Sequence, residues 1–124
     1  MRFTLVQYPA AIAQAAQAVN EIDHRIGELK QHITKLDGNA ELVVAFDTNL
    51  KNDNQRKARR FEVLQVNLEY EQAMKSLNRL STDRANAMAM LEQLRNEFSA
   101  MKVEMRLSIV DRLAGVESRE LVGL

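Results

Sequence analysis

The sequence contains no cysteine, which excludes a disulfide framework, a thiolate nucleophile and a cysteine-ligated metal site. Tryptophan is also absent, aromatic residues make up 5% of the chain, and there are one proline and four glycines. An all-β sandwich or barrel needs many turns and many β-branched or aromatic strand positions, which this composition does not supply. Ala, Leu, Met, Glu, Gln, Lys and Arg are abundant instead, so the composition predicts an all-α protein.

The chain has no excess charge of either sign, because 17 Lys and Arg balance 17 Asp and Glu. A uniformly basic nucleic-acid-binding or membrane-surface protein is therefore disfavoured. No apolar run approaches the roughly 18 residues that cross a bilayer, and Gln7, Pro9 and Gln14 interrupt the N-terminal stretch that resembles a secretory signal. We expect one helical domain over residues 1–124, with no membrane partner, in the cytoplasm.

Hydrophobic residues spaced alternately by three and four positions predict a first helix over residues 9–36, with Pro9 in its first turn. This seam consists of Ile12, Ala15, Val19, Ile22, Ile26, Leu29, Ile33 and Leu36. Gly38 and Asn39 accept the left-handed conformation that closes helices, so a connector is predicted over residues 37–52. Ala40 and Val43 would nevertheless continue the same seam.

Two segments, residues 3–8 and 42–46, favour extended structure, and we expect them to pair only between subunits. Asn52 then has the properties of an N-cap, with Gln55 at the spacing at which each side chain can accept from the other's backbone N–H.

A second, much longer helix is predicted over residues 53–114, with Gly115 as its stop signal and a tail over residues 115–124. Its heptad seam, apolar except at Arg84 and Ser108, consists of Val63, Val66, Tyr70, Ala73, Leu77, Leu80, Arg84, Ala87, Leu91, Leu94, Phe98, Met101, Met105 and Ser108. The poor helix formers at residues 81–83 allow a hairpin turn there, but the unbroken heptad phase favours continuity.

The two predicted helices differ in reach, at roughly 40 Å and 90 Å. If the first helix packs antiparallel along residues 56–80, the surface over residues 87–113 has no partner within the chain. The expected fold is a helical hairpin or coiled coil of one short and one very long helix, assembling into an oligomeric bundle, with a homodimer favoured. The expected oligomer interface consists of Leu91, Leu94, Phe98, Met101 and Met105.

A basic cluster stands out, with five cationic residues against Asp53 alone over residues 51–60. One interpretation is a nucleic-acid or anion contact, in which these side chains bind phosphate. The other is a solvated face whose charges pair with Glu62, or with Glu21 and Glu28 on the opposing helix. The cluster consists of Lys51, Arg56, Lys57, Arg59 and Arg60.

The remaining polar residues do not predict a metal-binding or catalytic site. His24 and His32 are eight residues apart, which does not match the spacing at which two helical histidines bind one metal. Arg84 on the seam either pairs with a carboxylate across helices, such as Glu92 or Glu97 of a partner chain, or marks a hairpin bend or extends outward to solvent. No catalytic residue, metal site or cofactor is predicted.

The stretch Leu50-Lys51-Asn52-Asp53-Asn54-Gln55-Arg56-Lys57-Ala58 resembles an LKN-x-x-QRKA box of small uncharacterised coiled-coil proteins of bacterial phages and mobile elements. In those proteins the box precedes a long helix with a segment similar to residues 91–98 here. The resemblance implies a companion to phage-type DNA metabolism and no transferable activity.

These observations predict a non-enzymatic, self-associating coiled-coil scaffold or protein-interaction module. The alternative is a nucleic-acid-binding accessory protein of phage or mobile-element DNA metabolism that uses the basic cluster.

Overall fold

The computed structural model describes the backbone of residues 2–123 and the side chains of residues 2–116, and all regular secondary structure in this part of the chain is helical. The helices are α1 (Tyr8–Ala45), α2 (Asp53–Gln65) and α3 (Leu68–Gly123). The all-α prediction is confirmed. Contacts within the chain group into two compact units, residues 19–86 and residues 1–18 with 87–124.

In the unit of residues 19–86, α1 and α3 run antiparallel, as two contacts show. Asp23 pairs with Arg84, and the later α1 residue His32 lies 4.0 Å from the earlier α3 residue Glu69. Within this unit, the predicted seam positions of α1 and of α3 are buried or half-buried, except Arg84. Burial of one apolar stripe against the other therefore explains why both helices form here. The most buried side chains of this unit are Val19, Leu36, Ala40, Val44 and Ala73.

The first helix is longer than predicted, because it passes through Gly38 and Asn39 and ends at Ala45. Ala40 and Val44 are 2% and 8% exposed, and burying them outweighs the cost of about 1 kcal/mol for a helical glycine. The prediction that residues 42–46 are extended is therefore wrong, and so is the start of the connector at residue 37.

The predicted helix over residues 53–114 is interrupted at Val66 and Asn67, which separate α2 from α3. Asn67 caps α3 by accepting from the Tyr70 backbone N–H at 3.2 Å, and the Val66 N–H still bonds to Glu62 at 3.3 Å. Local hydrogen bonds thus satisfy both helix ends, which makes the break inexpensive. Val66 is 84% exposed, so its predicted place in the seam is wrong. The chain is helical over residues 81–83, as the heptad phase predicts.

In the other unit, residues 8–18 of α1 lie against the part of α3 that starts at residue 87. Residues 3–8, predicted to be extended, instead form a turn that leads into α1. Gln7 N–H donates to the Thr4 carbonyl at 3.0 Å, and Thr4 N–H donates to the Gln7 side chain at 2.9 Å. The first bond closes a turn over residues 4–7 and the second is one half of a capping box, with Pro9 in the first helical turn as predicted.

The end of α3 also differs from the prediction. Gly115 does not stop the helix, which extends to Gly123, so the tail predicted over residues 115–124 is helical up to that residue. Leu124 lies outside the described residues. A methyl group on Gly115 would have no neighbouring atom within 4 Å, so no described side chain packs against the helix at this position.

Candidate interaction surfaces

Helix α2 positions the basic cluster, and its first turn is capped by Asn52. The Asn52 side chain accepts from the Gln55 backbone N–H at 2.9 Å, which confirms the predicted cap. The Gln55 side chain accepts from the Lys51 N–H at 2.7 Å, whereas the reciprocal bond was expected from Asn52. Because α2 begins at Asp53, four of the five basic residues lie within its first two turns.

Most of the charge of this cluster is balanced by neighbouring carboxylates. Arg56 lies 3.0 Å from Asp53 and Arg60 lies 3.0 Å from Glu41 of α1. Arg59 lies 3.3 Å from Glu62 and 4.0 Å from Asp47. Five cations thus face four carboxylates, which leaves a local charge of +1. Of the expected partners, Glu62 is found, while Glu28 pairs with His24 at 3.0 Å.

Three members of the cluster meet the end of α1 at a groove. The groove has a volume of about 320 Å³, and it does not include Lys51 or Arg59. Its apolar part comes from α1 and its cations come from α2. Its lining residues are Glu41, Val44, Ala45, Arg56, Lys57 and Arg60.

Of the five residues expected at the oligomer interface, some are covered within the chain and others are exposed. Leu91 and Leu94 are only 4% and 8% exposed, and Phe98 stacks on Tyr8 with ring centroids 5.5 Å apart. The prediction that these three lack a partner within the chain is wrong, because the longer α1 brings its first turns alongside them. Met101 is half-buried, and Met105 is 48% exposed.

Beyond Met101, α3 exposes every described side chain. We call residues 103–116 the distal segment. Its apolar side chains are each about half exposed. They are concentrated in one short segment, unlike the isolated exposed hydrophobic residues of an ordinary protein surface. They are Val103, Met105, Leu107, Ile109, Val110, Leu113 and Val116.

Tyr8 forms a site that the sequence did not predict. Its side chain is 0% exposed and packs between Phe3 and Phe98, and its hydroxyl donates to Glu97 at 3.1 Å. Gln93 donates to the other Glu97 oxygen at 3.0 Å. The sequence signal was present, since an aromatic residue beside Pro9 at a helix start can fold back onto a partner helix, but residues 3–8 were assigned to extended structure.

Two pKa values shift at this site. Burial, and then the hydrogen bond to Glu97, raise the pKa of Tyr8 above its ordinary value. The hydrogen bonds from Gln93 and then from Tyr8 lower the pKa of the Glu97 carboxyl.

Arg84 forms a cross-helix ion pair, which was one of its two expected roles. Its partner is Asp23 of the same chain. The hydrogen bond that Arg84 donates to Asp23, and then the negative charge of Asp23, raise the pKa of the Arg84 guanidinium. Both side chains are 44% exposed, so solvent screens the pair and its contribution to stability is small.

Among the described residues, no group of three or more His, Asp or Glu side chains could hold a metal ion. No helix in the described part of the chain is long and apolar enough to cross a membrane. Comparison with models of protein families, with curated proteins and with solved structures finds no match.

Proposed function

We propose that this chain is a non-enzymatic, self-associating helical scaffold, and that two copies join through the distal segment of α3. The observation that supports the proposal is the concentration of half-exposed apolar side chains on residues 103–116. Such a surface on a folded chain is typical of a protein-interaction site.

One side of the distal segment suits pairing with another helix. Successive helical residues are about 100° apart, so Val103, Leu107 and Val110 lie on one side with Ala114 one turn beyond. Spacings of four and three residues are those of a coiled-coil seam. Arg106 and Asp111 have opposite charges and border this seam on its two sides, so two copies present complementary edges.

The opposite side of the distal segment is less suited to a buried interface. Met105, Ile109 and Val116 lie there, but Arg112 falls among them. Burying an unpaired guanidinium is costly, so we assign the contact to the seam of Val103, Leu107 and Val110.

The apolar gain is comparable with the cost of association. Burying the exposed half of a Val, Leu or Ile side chain contributes about 1 kcal/mol, so the three seam residues of two copies together gain about 6 kcal/mol. Association costs about 4–15 kcal/mol in lost freedom. The two terms are of similar size, so we expect a weak, reversible homodimer whose fraction rises with protein concentration.

Sedimentation velocity on the full chain tests this proposal over a concentration series from about 1 μM to about 1 mM. The expected result is a shift from 14.1 kDa to twice that mass as the concentration rises. The double variant Leu107→Glu, Val110→Glu remains monomeric throughout, because it places four carboxylates in the shared seam.

The matched control is Phe46→Glu, which puts the same charge on an 81% exposed side chain outside the distal segment. It should dimerise like the wild type. A wild-type chain that stays at 14.1 kDa up to the highest concentration, or a control that dissociates as fully as the double variant, would overturn the proposal.

Nucleic-acid binding through the basic cluster is the second candidate. Its support is that all five cationic side chains are exposed. The four neighbouring carboxylates weaken it, since they would repel phosphates. Phage or mobile-element DNA metabolism, which the resemblance of residues 50–58 implies, belongs to this candidate.

Fluorescence anisotropy with a labelled DNA duplex at low salt tests the second candidate. If it is right, binding weakens steeply as salt rises, and Lys57→Glu with Arg60→Glu abolishes binding without lowering helicity. Absence of binding at low salt would rule it out.

A further inference from the structure

We propose that the groove between the end of α1 and the start of α2 binds a small organic phosphate monoester. The phosphate lies against Arg56, Lys57 and Arg60, and the organic group lies on Val44 and Ala45. This inference goes beyond self-association, because no residue of the groove belongs to the distal segment.

The charges of the groove favour an anionic ligand. Three cations and the carboxylate of Glu41 line it, and Asp53 lies against Arg56 just outside the lining, which leaves a local charge of +1. A phosphate monoester carries about −1.5 to −2 at pH 7, so it is attracted more strongly than a carboxylate ligand, which carries −1. Guanidinium groups also match phosphate geometry, because their N–H donors form paired hydrogen bonds with its oxygens.

Within this set, Lys57 is the residue available for a ligand. Arg56 is already paired with Asp53 and Arg60 with Glu41, each at 3.0 Å. Lys57 makes no ion pair within the described residues, and its long side chain lets the ammonium group follow a phosphate.

The apolar part and the size of the groove limit the ligand. Val44 is 8% exposed, and with Ala45 it provides a non-polar surface beside the cations. The volume of about 320 Å³ accommodates a phosphate with one compact apolar group. A nucleic-acid backbone does not require an apolar surface beside its phosphates, and the match therefore favours a small ligand.

Phenyl phosphate is a suitable probe, because it joins a phosphate monoester to a compact apolar ring. Titration of the ¹⁵N-labelled full chain, followed by amide chemical shifts, should give a Kd on the order of 0.1–1 mM for a ligand of this size. We expect the largest shifts at residues 41–45 and 56–60. Inorganic phosphate should bind at least about fivefold more weakly and phenol should not bind, since each offers only half of the contacts.

Variants separate a defined groove from diffuse positive charge. Lys57→Gln should weaken phenyl phosphate binding about tenfold, the effect of one charged hydrogen bond. Lys51→Gln removes the same charge from a residue outside the groove and should leave the Kd within about twofold. Glu41→Gln should tighten binding, because it removes the carboxylate that competes for Arg60.

Three results would overturn the inference. The first is equal weakening by Lys51→Gln and Lys57→Gln. The second is equal affinity for phenyl phosphate and inorganic phosphate, which would mean that Val44 and Ala45 contribute nothing. The third is displacement of phenyl phosphate by a short DNA duplex with a steep salt dependence, which would assign the cations to nucleic acid.

Discussion

Residues 87–101 and the distal segment belong to the same helix and have similar apolar content, yet their exposure is opposite. Leu91 and Leu94 are almost fully buried, while Leu107 and Leu113 are both 59% exposed. The difference is a partner. Tyr8 and the first turns of α1 cover residues 87–101, and no described residue covers the distal segment in the same way. Apolar composition thus made both regions suitable for burial, and the reach of α1 decided which one is buried.

Tyr8→Ala should reduce the difference between the two regions most strongly, because it removes the side chain that covers Phe98. The side chain is fully buried, so we expect the melting temperature, measured by circular dichroism, to fall by about 15 °C. Self-association should also increase, since residues 87–101 become a second exposed apolar surface. Tyr8→Phe keeps the ring and should retain most of the stability, and an equal loss in both variants would contradict the packing interpretation.

Leucine truncation compares the two regions directly. Leu91→Ala leaves a cavity at a 4% exposed site and should cost about 3 kcal/mol, or about 10 °C in melting temperature. Leu107→Ala, at a 59% exposed site, should change the stability of the monomer by less than about 0.5 kcal/mol. Both are measured at a concentration below dimerisation, and similar losses would mean that the distal segment is covered within the chain.

Replacing a helical glycine by alanine tests the same difference through the stability of the helix backbone. Gly27 and Gly115 are both helical, and a methyl group on either meets no atom within 4 Å. Gly27→Ala should raise the melting temperature by about 3 °C, because alanine favours the helix by about 1 kcal/mol. Gly115→Ala should change it by less than about 1 °C, since a helix end without packing frays independently of the core. A larger gain at Gly115 would contradict that independence.

Lowering the pH should reduce the stability of the covered region, residues 87–101, through Glu97. This effect should be smaller than those of the substitutions above. Hydrogen bonds from Gln93 and Tyr8 lower the pKa of Glu97, so its stabilisation is complete above the ordinary pKa of 4.5 and is lost as the pH falls through the lower folded value. Glu97→Gln should therefore unfold with a weaker acid dependence below about pH 4.5 than the wild type.

Residue patterns alone were enough to predict the helical class, most of the seam positions and the Asn52 cap. These follow from composition, from apolar spacing and from side-chain to backbone hydrogen bonds between near neighbours, which are local properties. The Asn67 cap is also local, but the heptad phase continues across it, and for that reason the spacing of Val63, Val66 and Tyr70 concealed the break.

Three features depend on contacts between distant parts of the chain: where α1 ends, which apolar residues are covered and how the charge of the basic cluster is balanced. Burial of Ala40 and Val44 outweighs the helix-stopping preference of Gly38, and Arg60 finds Glu41, 19 residues away. Burial and ion pairing depend on what lies opposite a residue in space. Periodicity reports which side of a helix is apolar, but it does not report what covers that side.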